Sequence, residues 1–236
     1  MTNPTTEAAQ RHAARVAGYA YLFTNILAIV SAFTISSRFF VPGDPAATAA
    51  HIIAADRLFR ISIAIDILVF AADVPLVVAL YVILKPVDRG LALVAFSWRL
   101  IETAILLVMT LHNFDVIQSL SDALDRGVDA NRIQAAWFAM KAHDSAWLVA
   151  FIFFGLGSTM FCWLFFKSGY IPKALAAWGI FASVLIAACN FAFIVFPTLA
   201  HKLEPACYLP ILTFEVLTGL WLTIKGLKLP SPPVTP

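Results

Sequence analysis

Long apolar runs, separated by short polar breaks, fill the chain from end to end. Val16 to Ile35 is 20 residues without a charge. At about 1.5 Å per residue that is enough to cross a hydrocarbon layer of about 30 Å. A second apolar helix is expected from about Arg57 to Leu84, and a third from about Gly90 to Gln118. The third is free to continue to Asp125, with Gly127 as a stop. Ser145–Phe166 and Ala174–Ala200 are uncharged again, and a sixth run covers about Cys207 to Lys225. The pattern predicts an all-α, polytopic integral membrane bundle of six transmembrane helices in one domain, residues 1–229. The tail Pro230–Pro236 holds too much proline for a helix and is expected to be disordered.

The breaks carry their own signals. Ser36–Asp56 reads as a loop around the turn cluster Pro42-Gly43-Asp44-Pro45. Lys85-Pro86-Val87-Asp88-Arg89 is a tight turn between the second and third helices. Pro75 should bend the second helix, because proline removes a backbone donor. Asp129 is a candidate N-cap. After it, Ile133, Ala136, Trp137 and Met140 recur at helical spacing, marking an interfacial helix or an outward extension of the fourth span. No convincing cleavage site follows the first run, which reads as an uncleaved helix.

Composition sharpens the choice of solvent. Hydrophobic residues make up 61% and charged residues 13%, against about 45–50% and about 25% in ordinary soluble domains. The net charge of +2 and the lack of any binding motif exclude nucleic acid as a partner; the lipid bilayer is the partner expected. Lys and Arg near the span ends number eight on the side of the termini and five on the other, leaving out Arg57, Arg60 and Arg99 as embedded. With Arg57 and Arg60 counted where they fall the bias narrows to eight against seven, and the two short, basic turns then favour both termini in the cytoplasm of a multi-pass inner-membrane protein. Cys162, Cys189 and Cys207 form no C-x-x-C pair and read as buried free thiols. Gly155-Leu-Gly157-Ser158 and Ala176/Gly179/Ser183 read as small-residue helix contacts.

Charges inside the apolar runs are the candidate chemistry, since a charge in hydrocarbon must pair, face the bundle interior or line a wet cavity. In a hairpin turning near Val87, residues equally far from the turn lie at similar depth. Asp73 and Arg99 then meet near mid-bilayer with Glu102 a turn further out, and Arg60 lies level with Asp115. Two pairs are expected, Asp73 with Arg99 and Arg60 with Asp115. The duller readings are a structural ion pair for the first, and for Arg57 and Arg60 a reach to the headgroups. In a second hairpin turning near Lys202, Glu215 falls beside Cys189 and Asn190, without a cation of its own, and reads as a proton-carrying carboxyl. Asp66, His112, Asp115, His143, Asp144, Asn190 and Glu215 then share the outer half and suggest a polar cavity opening away from the cytoplasm. No H-x-x-x-H or H-E-x-x-H spacing marks a metal site, and no cofactor is indicated.

Several strings resemble a known family. They are Arg15-Val-Ala-Gly-Tyr-Ala-Tyr-Leu, Asp56-Arg57-Leu-Phe-Arg60, Asp73-Val-Pro-Leu, Phe96-Ser-Trp-Arg99-Leu-Ile-Glu102 and Gly169-Tyr-Ile-Pro172-Lys-Ala-Leu-Ala-Ala-Trp-Gly179. Together they resemble the bacterial membrane family catalogued as domain of unknown function 4386. The resemblance implies a multi-span inner-membrane protein and points to Arg57, Arg60, Asp73, Arg99 and Glu102. It carries no activity with it. Three function classes fit: a protein binding, or acting on, a lipid-like or other amphipathic small molecule; a small proton-coupled transporter; and a structural or accessory subunit.

Overall fold

The computed structural model describes residues 4–32, 38–121 and 129–229. Among the described residues seven helices follow one another: α1 (Pro4–Val30), α2 (Pro45–Ala54), α3 (Asp56–Leu84), α4 (Arg89–Ser121), α5 (Ala130–Ser168), α6 (Lys173–Val195) and α7 (Pro197–Ile224). Among the described residues there is no strand. All but α2 contain a stretch long and apolar enough to cross a bilayer. The protein is a multi-pass, all-α helix bundle.

Helices run past the uncharged segments because packing and caps, not charge, set their ends. α1 begins at Pro4, twelve residues before the uncharged run that starts at Val16. Its early turns bury Ala13, Ala14 and Ala17 in one cluster with Leu80, Ile83 and Leu84 of α3. Gln10 is buried there, and its Nε2 donates to Ile83 O at 2.8 Å. The expected loop before the second span contains α2. Asp44 supplies the cap, its Oδ1 accepting from the Ala47 N–H at 2.9 Å, and Pro45 occupies the first turn. The Ile133–Met140 stretch is an outward extension of the fourth span, since α5 is unbroken over 39 residues. Asp129 caps it, accepting from the Arg132 N–H at 2.9 Å, and Gly169, at φ 69°, closes it in the left-handed region. The third helix's expected continuation to Asp125, its stop at Gly127 and the tail from Pro230 lie outside the described residues.

The last hairpin departs furthest from expectation. α6 ends at Val195 and α7 starts at Pro197, so the turn falls at Phe196 instead of near Lys202. Proline has no N–H to continue a helix and disfavours helical geometry just before it. The shift changes every facing pair: Cys189 meets Cys207 in a disulfide, with Cα atoms 6.4 Å apart. This corrects the reading of three free thiols; Cys162 is the free one, and it is buried. Denatured without reductant, the protein should alkylate at Cys162 alone. Alkylation at all three cysteines would contradict the register.

The six spans form a closed circuit. Each packs on its neighbours in sequence, and α1 closes the loop between α3 and α7, while α2 lies against α3, α4 and α5. Small residues permit the closest approaches, as the glycine stripes suggest. A Cβ on Gly155 would sit 2.6 Å from Ser183 O of α6, and one on Gly157 would sit 3.0 Å from Ala95 O of α4. On the outside, Leu68, Val74 and Val78 of α3 and Phe181, Val184 and Phe191 of α6 are exposed. That apolar surface fits lipid as its solvent.

Candidate functional site

Helical spacing puts Arg99, Glu102, Thr103 and Leu106 on one buried stripe of α4, and Phe70, Asp73, Val77 and Leu80 on one of α3. The stripes face each other inside the circuit. Arg99 is 3% exposed, Glu102 3% and Asp73 8%. Arg99 Nη2 donates to Asp73 Oδ1 at 2.8 Å, and Nη1 donates to Ser158 Oγ of α5 at 3.2 Å. The guanidinium lies over the Phe154 ring, 4.2 Å from its centroid, a contact worth about 2 kcal/mol when dry. Thr103 Oγ1 stands 2.6 Å from Asp73 Oδ2 and 2.9 Å from Arg99 O. Arg99 Nε and Glu102 Oε2 are 3.4 Å apart, yet neither atom completes a hydrogen bond. Asp73 is therefore well served by hydrogen-bond donors, and Glu102 is not.

α1 and α7 add a second half. Asn25 Nδ2 donates to Glu215 Oε2 at 3.2 Å and to Tyr21 O at 2.9 Å. Glu215 lies within electrostatic reach of Arg99. It is partly exposed, whereas Asn25, Glu102 and Arg99 are buried. Asp73, Arg99, Ser158 and Glu215 lie about nine to eleven residues from Leu84, Arg89, Ser168 and Ile224 respectively. That is about 14–17 Å from one end of the bundle, close to the middle of a hydrocarbon core of about 30 Å. One guanidinium bonds Asp73, stands beside Glu102 and lies within electrostatic reach of Glu215, carboxyl groups on three different spans.

The other expected residues lie elsewhere. Arg60 pairs with Asp56 of its own helix at 2.8 Å, and Asp115 stands 3.4 Å from His112. The expected Arg60–Asp115 pair does not form, because equal distance from a turn sets height but not direction around the helix. Arg57 is exposed in the first turn of α3. Asp66 is partly buried and within electrostatic reach of His143. His143 stands 3.6 Å from Asp144, which accepts from Lys141 Nζ at 3.2 Å. Exposed pairs of this kind contribute little to stability, because solvent screens them. Among the described residues no three of His, Cys, Asp or Glu are grouped as a metal ion would need.

Asn190 belongs to a separate relay across α5, α7 and α6. Trp147 Nε1 donates to Tyr208 Oη at 2.9 Å, and Tyr208 Oη donates to Asn190 Oδ1 at 2.9 Å. Asn190 Nδ2 returns to Ile186 O at 2.8 Å. Glu215 therefore does not sit beside Cys189 and Asn190 in the outer half. The turn at Phe196 moves it to mid-depth, beside Asn25. Asn25, Thr103, Phe154, Ser158 and Tyr208 were not singled out from sequence as site residues. Asn25 was the findable one, as the lone amide in the first uncharged run.

The family described as domain of unknown function (DUF4386) matches residues 16–226. A protein of Archaeoglobus fulgidus described as uncharacterized is similar to this chain. It is 29% identical over 174 residues, covering 72% of this chain and 86% of its own length. No solved structure matches.

Proposed function

The chain belongs to the family of domain of unknown function 4386, and from its geometry we propose that it binds an amphipathic small molecule within the membrane, the ligand's polar head meeting the Arg99–Asp73–Glu102–Glu215 centre. One observation carries the reading: a single guanidinium serves Asp73 and Glu102 at mid-depth with Glu215 in electrostatic reach, and Glu102 Oε2 lacks a hydrogen-bond donor. A structural ion pair needs one acid per base. The surplus acid leaves the centre short of positive charge or donors, which a cationic or hydrogen-bonding head would supply. Glu215 is partly exposed as a residue and the Asp73 side chain is 12% exposed, so these are the two members an entering group would meet. The helix of Glu215 carries Pro205 and Pro210, which interrupt the backbone ladder and loosen α7 locally.

The same surplus also favours a second reading, a proton-coupled carrier that exchanges protons at Glu102 and Glu215. In either case both termini face the cytoplasm of an inner membrane. The two short, basic turns on that side, Lys85–Arg89 and Lys167–Lys173, support this. So does the Cys189–Cys207 disulfide, which lies toward the opposite end and belongs to an oxidising compartment.

Native mass spectrometry of gently extracted protein tests the binding reading. The expected result is a retained amphipathic adduct whose occupancy falls about tenfold in Glu102→Gln and Glu215→Gln. A clean apo mass, or an adduct indifferent to both changes, would remove it. Proton flux into vesicles that depends on the two carboxyls, without any adduct, would select the carrier.

A further inference from the structure

The outer face of the bundle, away from the charged centre, carries an apolar groove. It runs between α6 and α7 and is lined by Pro172, Ala174, Leu175, Trp178, Leu217 and Trp221, among others. Its lining is almost wholly apolar and includes two tryptophans. Trp178 Nε1 is tied to α7, donating to Pro210 O at 3.1 Å and Thr213 Oγ1 at 3.2 Å, which holds the ring in place along the groove. The mouth is at the end of the bundle where the α5–α6 turn meets the segment after α7. The Lys228 N–H donates to Tyr170 O at 2.9 Å and pins those two segments together.

Positive charge collects at that mouth. Lys228 Nζ lies over the Trp221 ring at 5.2 Å, and Lys173 Nζ lies 5.8 Å from the Phe166 ring centroid. Both lysines are exposed. Lys173 opens α6, whose N-terminus has no side-chain cap and carries the positive end of the helix dipole.

We propose that this groove holds an anionic phospholipid, one acyl chain lying between Trp178 and Leu217 and the phosphate seated between Lys173, Lys228 and the start of α6. The apolar slot explains the chain and the two lysines explain the charge. Each lysine near a membrane surface favours anionic lipid measurably. A zwitterionic lipid would fill the slot but gain less from the mouth.

The test is lipid titration of the detergent-solubilised full chain, read by native mass spectrometry, with phosphatidylglycerol and phosphatidylcholine of matched chains. Phosphatidylglycerol should bind at least about tenfold more tightly. The doubly substituted Lys173→Gln, Lys228→Gln protein should bind both lipids equally, while Lys141→Gln, on the far side, should keep the preference. Trp178→Ala should weaken both lipids alike. Equal affinity in the native protein, a preference that survives loss of both lysines, or full displacement of lipid by millimolar inorganic phosphate would each overturn the proposal.

Discussion

Arg99→Gln should be the most damaging single substitution in the protein, lowering its stability by about 3–5 kcal/mol. The side chain serves three spans at once: it bonds Asp73 of α3 and Ser158 of α5 and faces Glu102 of its own helix. Its removal leaves Asp73 and Glu102 buried without a countercharge, and that uncompensated burial, more than the lost bonds, sets the size of the effect. Arg99→Lys should recover part of the loss. An ammonium keeps the charge but cannot reproduce the planar fork that reaches Asp73 and Ser158 together. Unfolding in mixed detergent micelles measures both variants. Near-native stability of Arg99→Gln would mean the centre is wet or open enough to need no cation.

Gly155→Leu should come second, at about 3 kcal/mol or slightly more, at the upper end of overpacking costs. The first carbon alone would meet Ser183 O at 2.6 Å and the Ala187 side chain at 2.7 Å. Two of these three contacts, counting Ala187 N at 3.0 Å, are with backbone, which cannot rotate out of the way. The α5–α6 interface must separate, and that also disturbs the neighbouring turn that holds Ser158 against Arg99. Gly43→Ala makes the contrast. Nothing lies within 4 Å of its side, so only the strain of its φ of 77° remains. Thermal unfolding of both variants in one detergent compares them, and equal effects would deny the close approach.

The span count was legible because hydrophobicity needs only one dimension: six runs had the length to cross, and six helices do. The Asp73–Arg99 meeting was legible for a related reason. Their hairpin turns at a five-residue break bounded by two basic residues, so counting outward from it gave a true depth. The same counting failed for Arg60 and Asp115, since depth leaves direction around each helix open, and both side chains point outward. It failed again in the last hairpin, where an uncharged run passed through Phe196-Pro197 without a polar marker. Pro197 was the sole clue to the turn, and missing it displaced Glu215 and hid the cystine. The contributions of Asn25, Ser158 and Thr103 depend on which spans adjoin, and a linear sequence does not state adjacency.

The central claim is that acid and base of α3 and α4 answer each other inside the circuit of spans. A double-mutant cycle of Asp73→Asn and Arg99→Gln, read by unfolding free energy, tests it most directly. Each single change should be costly and the double change should be far milder than their sum, with a coupling of about 2 kcal/mol or more. Additivity within about 0.5 kcal/mol would mean the two side chains act independently, and the proposed site would lose its foundation.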